Sequence, residues 1–168
     1  NPTVTWYADS DGDTYGNPSS SNTCERKNST DVLNNEDCDD EDSGEKPTVT
    51  WYSDADGDTY GNPSSSNICE RKNSTDVLNS DDCDDSDSGE KPGVTWYAVG
   101  DGDTYGNPSS SNECERANGT DVLDNTDCDD SDSEEKPGVT WYADSDGDGF
   151  GNSSSSNVCE RANGTDAV

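Results

Sequence analysis

Alternating carboxylates are the residues in this chain best placed to do chemistry. Asp9, Asp11 and Asp13 occupy every second position of the run Asp9-Ser10-Asp11-Gly12-Asp13-Thr14-Tyr15-Gly16-Asn17. Oxygens at positions 1, 3 and 5 of a tightly wound loop converge on one centre, and a backbone carbonyl at position 7, here Tyr15, adds a further donor. Calcium takes six to eight such hard oxygens. The run recurs as Asp54, Asp56 and Asp58 with Tyr60, and as Asp144, Asp146 and Asp148 with Phe150. A remaining copy keeps Asp101, Asp103 and Tyr105 but has Val99 where the first Asp belongs. That site is expected to be weaker or to recruit water. The spacing is not that of an EF-hand, which wants Gly at position 6 and Glu at position 12 between helices. Here Gly stands at positions 4 and 8, and the twelfth residue is Ser20.

The missing donors must come from elsewhere. A second acidic cluster offers them: Asp37, Asp39, Asp40 and Asp42, repeated as Asp82, Asp84, Asp85 and Asp87, and again as Asp127, Asp129, Asp130 and Asp132. Either this cluster completes the first site or it forms a second one. A run of charge is most often a solvated face, but solvation alone does not call for Asp at alternate positions with Gly between. Zinc and copper prefer His, Cys or Met, and the chain has no His and no Met. Calcium is the expected cofactor.

Composition shows why a metal matters. Only 24% of the 168 residues are hydrophobic, and the formal net charge is -31. A chain so poor in apolar surface does not ordinarily offset its ordering entropy. Small secreted domains meet that shortage with metals and disulfides. The acidic balance repels nucleic acid and favours cations. No apolar run approaches the ~18 residues of a membrane span. Any secretory leader is expected to be removed or to lie outside this segment.

These residues repeat in phase. Trp6, Trp51, Trp96 and Trp141 are 45 residues apart, and residues 4–48 and 49–93 differ at seven positions. The repeats read as 1–48, 49–93, 94–138 and a truncated 139–168, and both ends are expected to be cuts through a longer array. Within a repeat, Thr3-Val4-Thr5-Trp6-Tyr7 is a strand signal. Thr14-Tyr15 is a possible second short strand, and the segment from Pro18 to Asn22 reads as a loop. No stretch has helical periodicity. The expected fold is therefore one of small irregular β repeats with almost no helix, stapled by disulfides and stacked into a linear rod or filament.

Cys24, Cys38, Cys69, Cys83, Cys114, Cys128 and Cys159 make an odd count. Two pairings fit the spacing. One closes a loop within each repeat (Cys24–Cys38) and leaves Cys159 over. Its rival joins neighbouring repeats (Cys38–Cys69). The first is favoured, because a loop of ~15 residues closed within a coreless unit is worth roughly 3 kcal/mol. Either one implies an oxidising environment. Asn28, Asn73, Asn118 and Asn163 each open an Asn-x-Thr acceptor for N-linked glycan, one per repeat. Asn152-Ser153-Ser154 is a lone further match, and Ser19–Ser21 could carry O-glycans. Trp6 and Tyr7 are expected to pack a small interior, with a sugar-stacking platform as the alternative.

The string Trp-Tyr-x-Asp-x-Asp-Gly-Asp-x-Tyr-Gly, then Cys, then Asp-Cys-Asp-Asp, then Pro, resembles the metal-binding repeat of MopE-like secreted surface proteins. The likeness covers nearly the whole chain. It implies calcium at Asp9, Asp11, Asp13 and Asp37–Asp40, a Cys24–Cys38 bridge and a surface location. The copper association of that family depends on His and does not transfer. The expected function is an extracellular structural filament, fibre or stalk whose partners are neighbouring repeats or identical chains and covalent glycans. The alternative is a calcium-dependent adhesin or spacer module. An enzyme is not expected: identical copies offer no unique cleft, and His is absent for acid–base work.

Overall fold

A computed structural model describes residues 3–168. The chain divides into two compact units, Asn1–Gly89 and Glu90–Val168. Each is built from two-stranded antiparallel sheets, with no helix among the described residues. In the first unit β1 (Thr5–Tyr7) pairs with β2 (Ser21–Thr23), and β3 (Thr50–Tyr52) with β4 (Ser66–Ile68). In the second, β5 (Thr95–Tyr97) pairs with β6 (Ser111–Glu113), and β7 (Thr140–Ala143) with β8 (Asn152–Val158).

The β-branched and aromatic Thr-Trp-Tyr triplet is the first strand of every sheet, as its composition predicts. Its partner differs from expectation. Thr14-Tyr15 is not a strand, because Thr14 adopts a left-handed φ of 78° inside the acidic loop. The pairing strand lies instead at Ser21–Thr23, and Trp6 stands opposite Asn22. The last sheet shows what sets strand length. Pro18, Pro63 and Pro108 precede the short partners, and a proline lacks the N–H that a ladder needs. The equivalent residue of the last repeat is Ser153, and there the partner strand extends from Asn152 to Val158.

Three-residue hairpins are not stable by themselves. A further bridge thickens each one: Tyr7 and Val32 exchange both backbone hydrogen bonds, at 2.8 and 2.9 Å. Gly16 fits where loop, hairpin and this bridge meet. A Cβ there would lie 2.6 Å from the Asn34 carbonyl oxygen and 2.6 Å from Tyr7 Cβ. The buried apolar side chains among the described residues are Trp51, Trp96 and Trp141, at 7%, 6% and 3% exposure. An arginine of the same repeat lies over each ring, with Arg71 4.3 Å from Trp51, Arg116 3.8 Å from Trp96 and Arg161 3.9 Å from Trp141. Trp51, Trp96 and Trp141 are therefore core, each with a cation as its lid, while Trp6, under Arg26 at 4.6 Å, and Tyr7 are only half-buried.

The cysteine pairing corrects the favoured reading. Cys38 is bonded to Cys69 and Cys128 to Cys159, each across 31 residues of sequence. Cys83 and Cys114 are also disulfide-bonded. Cys24 is thus not the partner of Cys38, and Cys159 is not left over. The reason is positional. Cys38 lies at the far end of its repeat, beside the start of the next, where Asp42 and Glu45 pair with Arg71 (Glu45 at 3.0 Å). These disulfides place the folded chain in an oxidising environment.

Candidate metal centre

Every acidic loop winds around its own carboxylates. Asp9 uses both oxygens to organise it: Oδ1 accepts the Gly12 N–H at 2.7 Å and Oδ2 the Thr14 N–H at 3.2 Å. Asp11 Oδ1 accepts from Asp13 N–H at 3.0 Å, and Asp13 Oδ1 from Tyr15 N–H at 2.8 Å. The second loop repeats this with Asp54, Asp56 and Asp58, where Asp58 accepts from Tyr60 N–H at 2.8 Å. In Asp11 and Asp13, as in Asp56 and Asp58, the N–H takes one carboxylate oxygen and leaves the other free to point inward.

Asp37 comes from the second cluster to cap the loop. Its backbone N–H donates to the Gly16 carbonyl at 3.3 Å, and its own Oδ1 accepts from Asp39 N–H at 3.1 Å. Its Oδ2 is buried with no donor, as are Asp11 Oδ2 and Asp13 Oδ2. The same three oxygens are orphaned in the second loop (Asp56, Asp58, Asp82) and in the third (Asp101, Asp103, Asp127). Asp37, Asp82 and Asp127 are each 7% exposed. A buried anionic oxygen without a donor is costly, and three per site in three sites is a pattern, not an accident of packing. The carboxylates of Asp9, Asp11 and Asp13, of Asp54, Asp56 and Asp58, of Asp101, Asp103 and Asp127, and of Asp144, Asp146 and Asp148 offer oxygens within 4.8 Å of one another.

Electrostatics reports the same crowding. Burial raises the Asp37 carboxyl above its ordinary value, and the charges of Asp11 and Asp13 add to it. Asp82 is raised by burial and by Asp58 and Asp56, and Asp127 by burial and by Asp103. Asp11 and Asp56 are raised by burial and by their loop neighbours, against one backbone N–H each. At ~4 Å two like charges near a protein surface repel by about 4 kcal/mol. A divalent cation among them reverses that sign.

The fourth loop is more open than the other three. Asp146, Asp148 and Phe150 are exposed there. Asp144 accepts Gly149 N–H at 2.9 Å and Gly147 N–H at 2.7 Å, and its carboxyl is held low chiefly by the Gly149 bond.

The other members of the second cluster do different work. Asp40 accepts the Ser10 N–H and hydroxyl at 2.7 Å each and the Asn17 amide at 3.2 Å, which together hold its carboxyl low against the push of burial. Asp85 and Asp130 take the same place against Ala55 and Gly100. Asp39 is exposed and closes a turn on Glu41 N–H, while Asp84 and Asp129 do so on Ser86 and Ser131. Asp42 pairs with Arg71 and Asp132 with Arg161, and Asp87 accepts from Gly89 N–H at 3.0 Å. The geometry thus brings one aspartate per second cluster to the loop, braces the loop with a second (Asp40), turns Asp42 toward the arginine of the next repeat, and leaves Asp39 to a local turn of its own. In the third loop, where Val99 replaces the first Asp, Asp127 lies with Asp101 and Asp103.

Two sets of positioning residues escaped the sequence reading. Asn34 accepts Gly16 N–H at 3.0 Å and donates to the Thr14 carbonyl at 2.9 Å, and Asn79 repeats this. Asp31 is 1% exposed and accepts the Lys27 and Asn28 N–H groups at 3.0 Å each, a turn that presents the sequon. Their in-phase recurrence was the available signal. Asn28, Asn73, Asn118 and Asn163 are all exposed. The chain matches no protein-family model, no curated protein and no solved structure. Among the described residues no helix is long and apolar enough to cross a membrane.

Proposed function

We propose that this chain is an extracellular, calcium-stabilised structural protein whose repeats stack into a filament, fibre or surface stalk and carry N-linked glycans. One observation supports it above the others: three buried carboxylate oxygens without donors, recurring in three successive loops. They form an all-oxygen, anionic, adaptable donor set, which suits calcium. Magnesium demands near-octahedral geometry and holds its waters. The carbonyls of Tyr15, Tyr60, Tyr105 and Phe150 are the expected further donors. The likeness to MopE-like surface repeats belongs to this reading, as does an extracellular site, which the disulfides favour. The exposed sequons favour glycans. Copies of one loop in a chain without His favour support over catalysis.

Thermal unfolding of the oxidised chain in excess calcium and in excess EGTA tests the reading. A ligand held only by the folded state stabilises it by about 2.7 kcal/mol at a hundred times its Kd. We expect a large drop in Tm on chelation, restored by calcium and not by magnesium. Equal melting temperatures in the two buffers would exclude calcium as the structural support.

A further inference from the structure

Residues 37–45 grip two repeats at once. Toward their own loop, Asp37 donates its N–H to the Gly16 carbonyl and keeps one buried oxygen unpartnered within reach of the Asp11 and Asp13 charges, and Asp40 holds Ser10 and Asn17. Toward the following repeat, Cys38 bonds Cys69, Asp42 pairs with Arg71, and Glu45 accepts the Arg71 N–H at 3.2 Å. The arrangement recurs in the second compact unit. There Asp127 meets Asp101 and Asp103, Cys128 bonds Cys159, and Glu135 accepts the Arg161 N–H at 3.2 Å. The cysteine that crosses to the next repeat is in each case the residue directly after the aspartate that closes the acidic loop.

We propose that calcium binding in a loop gates the disulfide to the following repeat. The inference rests on the calcium reading above. Without a cation, three carboxylates repel one another, and the one that can retreat is Asp37, which is joined to the loop by non-covalent contacts alone. Cys38 retreats with it. With the cation bound, Asp37 is held down and Cys38 is presented to Cys69. The oxidation itself is thiol–disulfide exchange with a small-molecule disulfide such as oxidised glutathione. One cysteine thiolate attacks that disulfide and releases one glutathione as thiol. The second cysteine thiolate then displaces the other glutathione, so two protein thiols and one glutathione disulfide become one protein disulfide and two glutathione thiols. Calcium takes no part in the electron balance. It raises the effective concentration of one cysteine near the other.

The test uses the full chain, reduced, in a glutathione redox buffer with calcium or with EGTA. Samples are quenched by alkylation, the 38–69 and 128–159 bridges are mapped separately by mass spectrometry, and calcium binding to the reduced chain is titrated in parallel. Calcium should accelerate both bridges by about tenfold or more. Asp37→Asn keeps the side-chain shape and should lose the acceleration at 38–69 while 128–159 retains it. Asp39→Asn, on the same segment but exposed and not among the buried unpartnered carboxylates, should retain both. Equal rates in calcium and EGTA, with calcium shown to bind, would overturn the gate and leave the calcium reading standing. Asp37→Asn slowing both bridges alike would also overturn it. No binding in the titration would overturn the calcium reading and the gate with it.

Discussion

Asp37 is legible from sequence as an acid near a cysteine, but not as the acid that closes the loop. Its cluster holds four aspartates with nothing local to rank them, and the ranking comes from a backbone bond to Gly16 and from Arg71, 29 residues beyond Asp42. Asp82→Asn should lower calcium affinity at the second site by about ten- to a hundredfold, a loss of roughly 1.4 to 2.8 kcal/mol of binding, read by titration calorimetry. Asp84→Asn should leave it unchanged. The pH dependence has a definite sign. Asp37, Asp82 and Asp127 have raised folded values, so without metal their contribution is full below the ordinary 3.8 and is lost as pH rises through the folded value. Asp31 and Asp144, held low, contribute above 3.8 and lose that as pH falls through their folded values. Metal-free protein should therefore lose Tm as pH rises above 3.8, while calcium-loaded protein gains it, because protons compete with the ion. Parallel slopes in the two series of melts would contradict this account.

At the scale of elements, the Thr-Trp-Tyr strand was readable because β-branched and aromatic residues report it directly. Its partner was not: Ser21-Asn22-Thr23 carries no strand signal, and only the winding of the acidic loop brings it opposite Trp6. The loop imposes conformations its residues do not prefer. Thr59 has a φ of 79°, and the last repeat puts Gly149 in that place. Thr59→Gly should stabilise by up to about 1 kcal/mol, seen as a higher denaturation midpoint in calcium. Gly61 sits where a Cβ would meet the Asn79 carbonyl oxygen at 2.5 Å and Tyr52 Cβ at 2.5 Å. Gly61→Ala should cost about 1–3 kcal/mol by the same assay. An unchanged midpoint would mean that strand, loop and Val77 bridge are not packed as described.

For the whole molecule, the period of 45 residues and the shortage of apolar side chains were plain in the sequence, and so were the cysteines and acidic loops that could make up for a core. The partner choice of the cysteines was not, because spacing alone weighs a loop within a repeat against a tie between repeats and cannot see where Cys38 lies. With a net charge of -31, chelated protein should melt higher as salt is added, while the calcium form should respond less, since screening and bound cations relieve the same repulsion. The pairing has a consequence for survival among proteases. Cys38–Cys69 and Cys128–Cys159 each enclose a window of chain, and a single nick inside either window leaves the two pieces tied covalently. Fragments should separate on a denaturing gel only after reduction. A nick in residues 70–82 or 115–127 falls outside both windows and gains no tether from either bridge. Asn28, Asn73, Asn118 and Asn163 all lie outside both windows, so sugars on those residues would shield the stretches where one cut severs the strand.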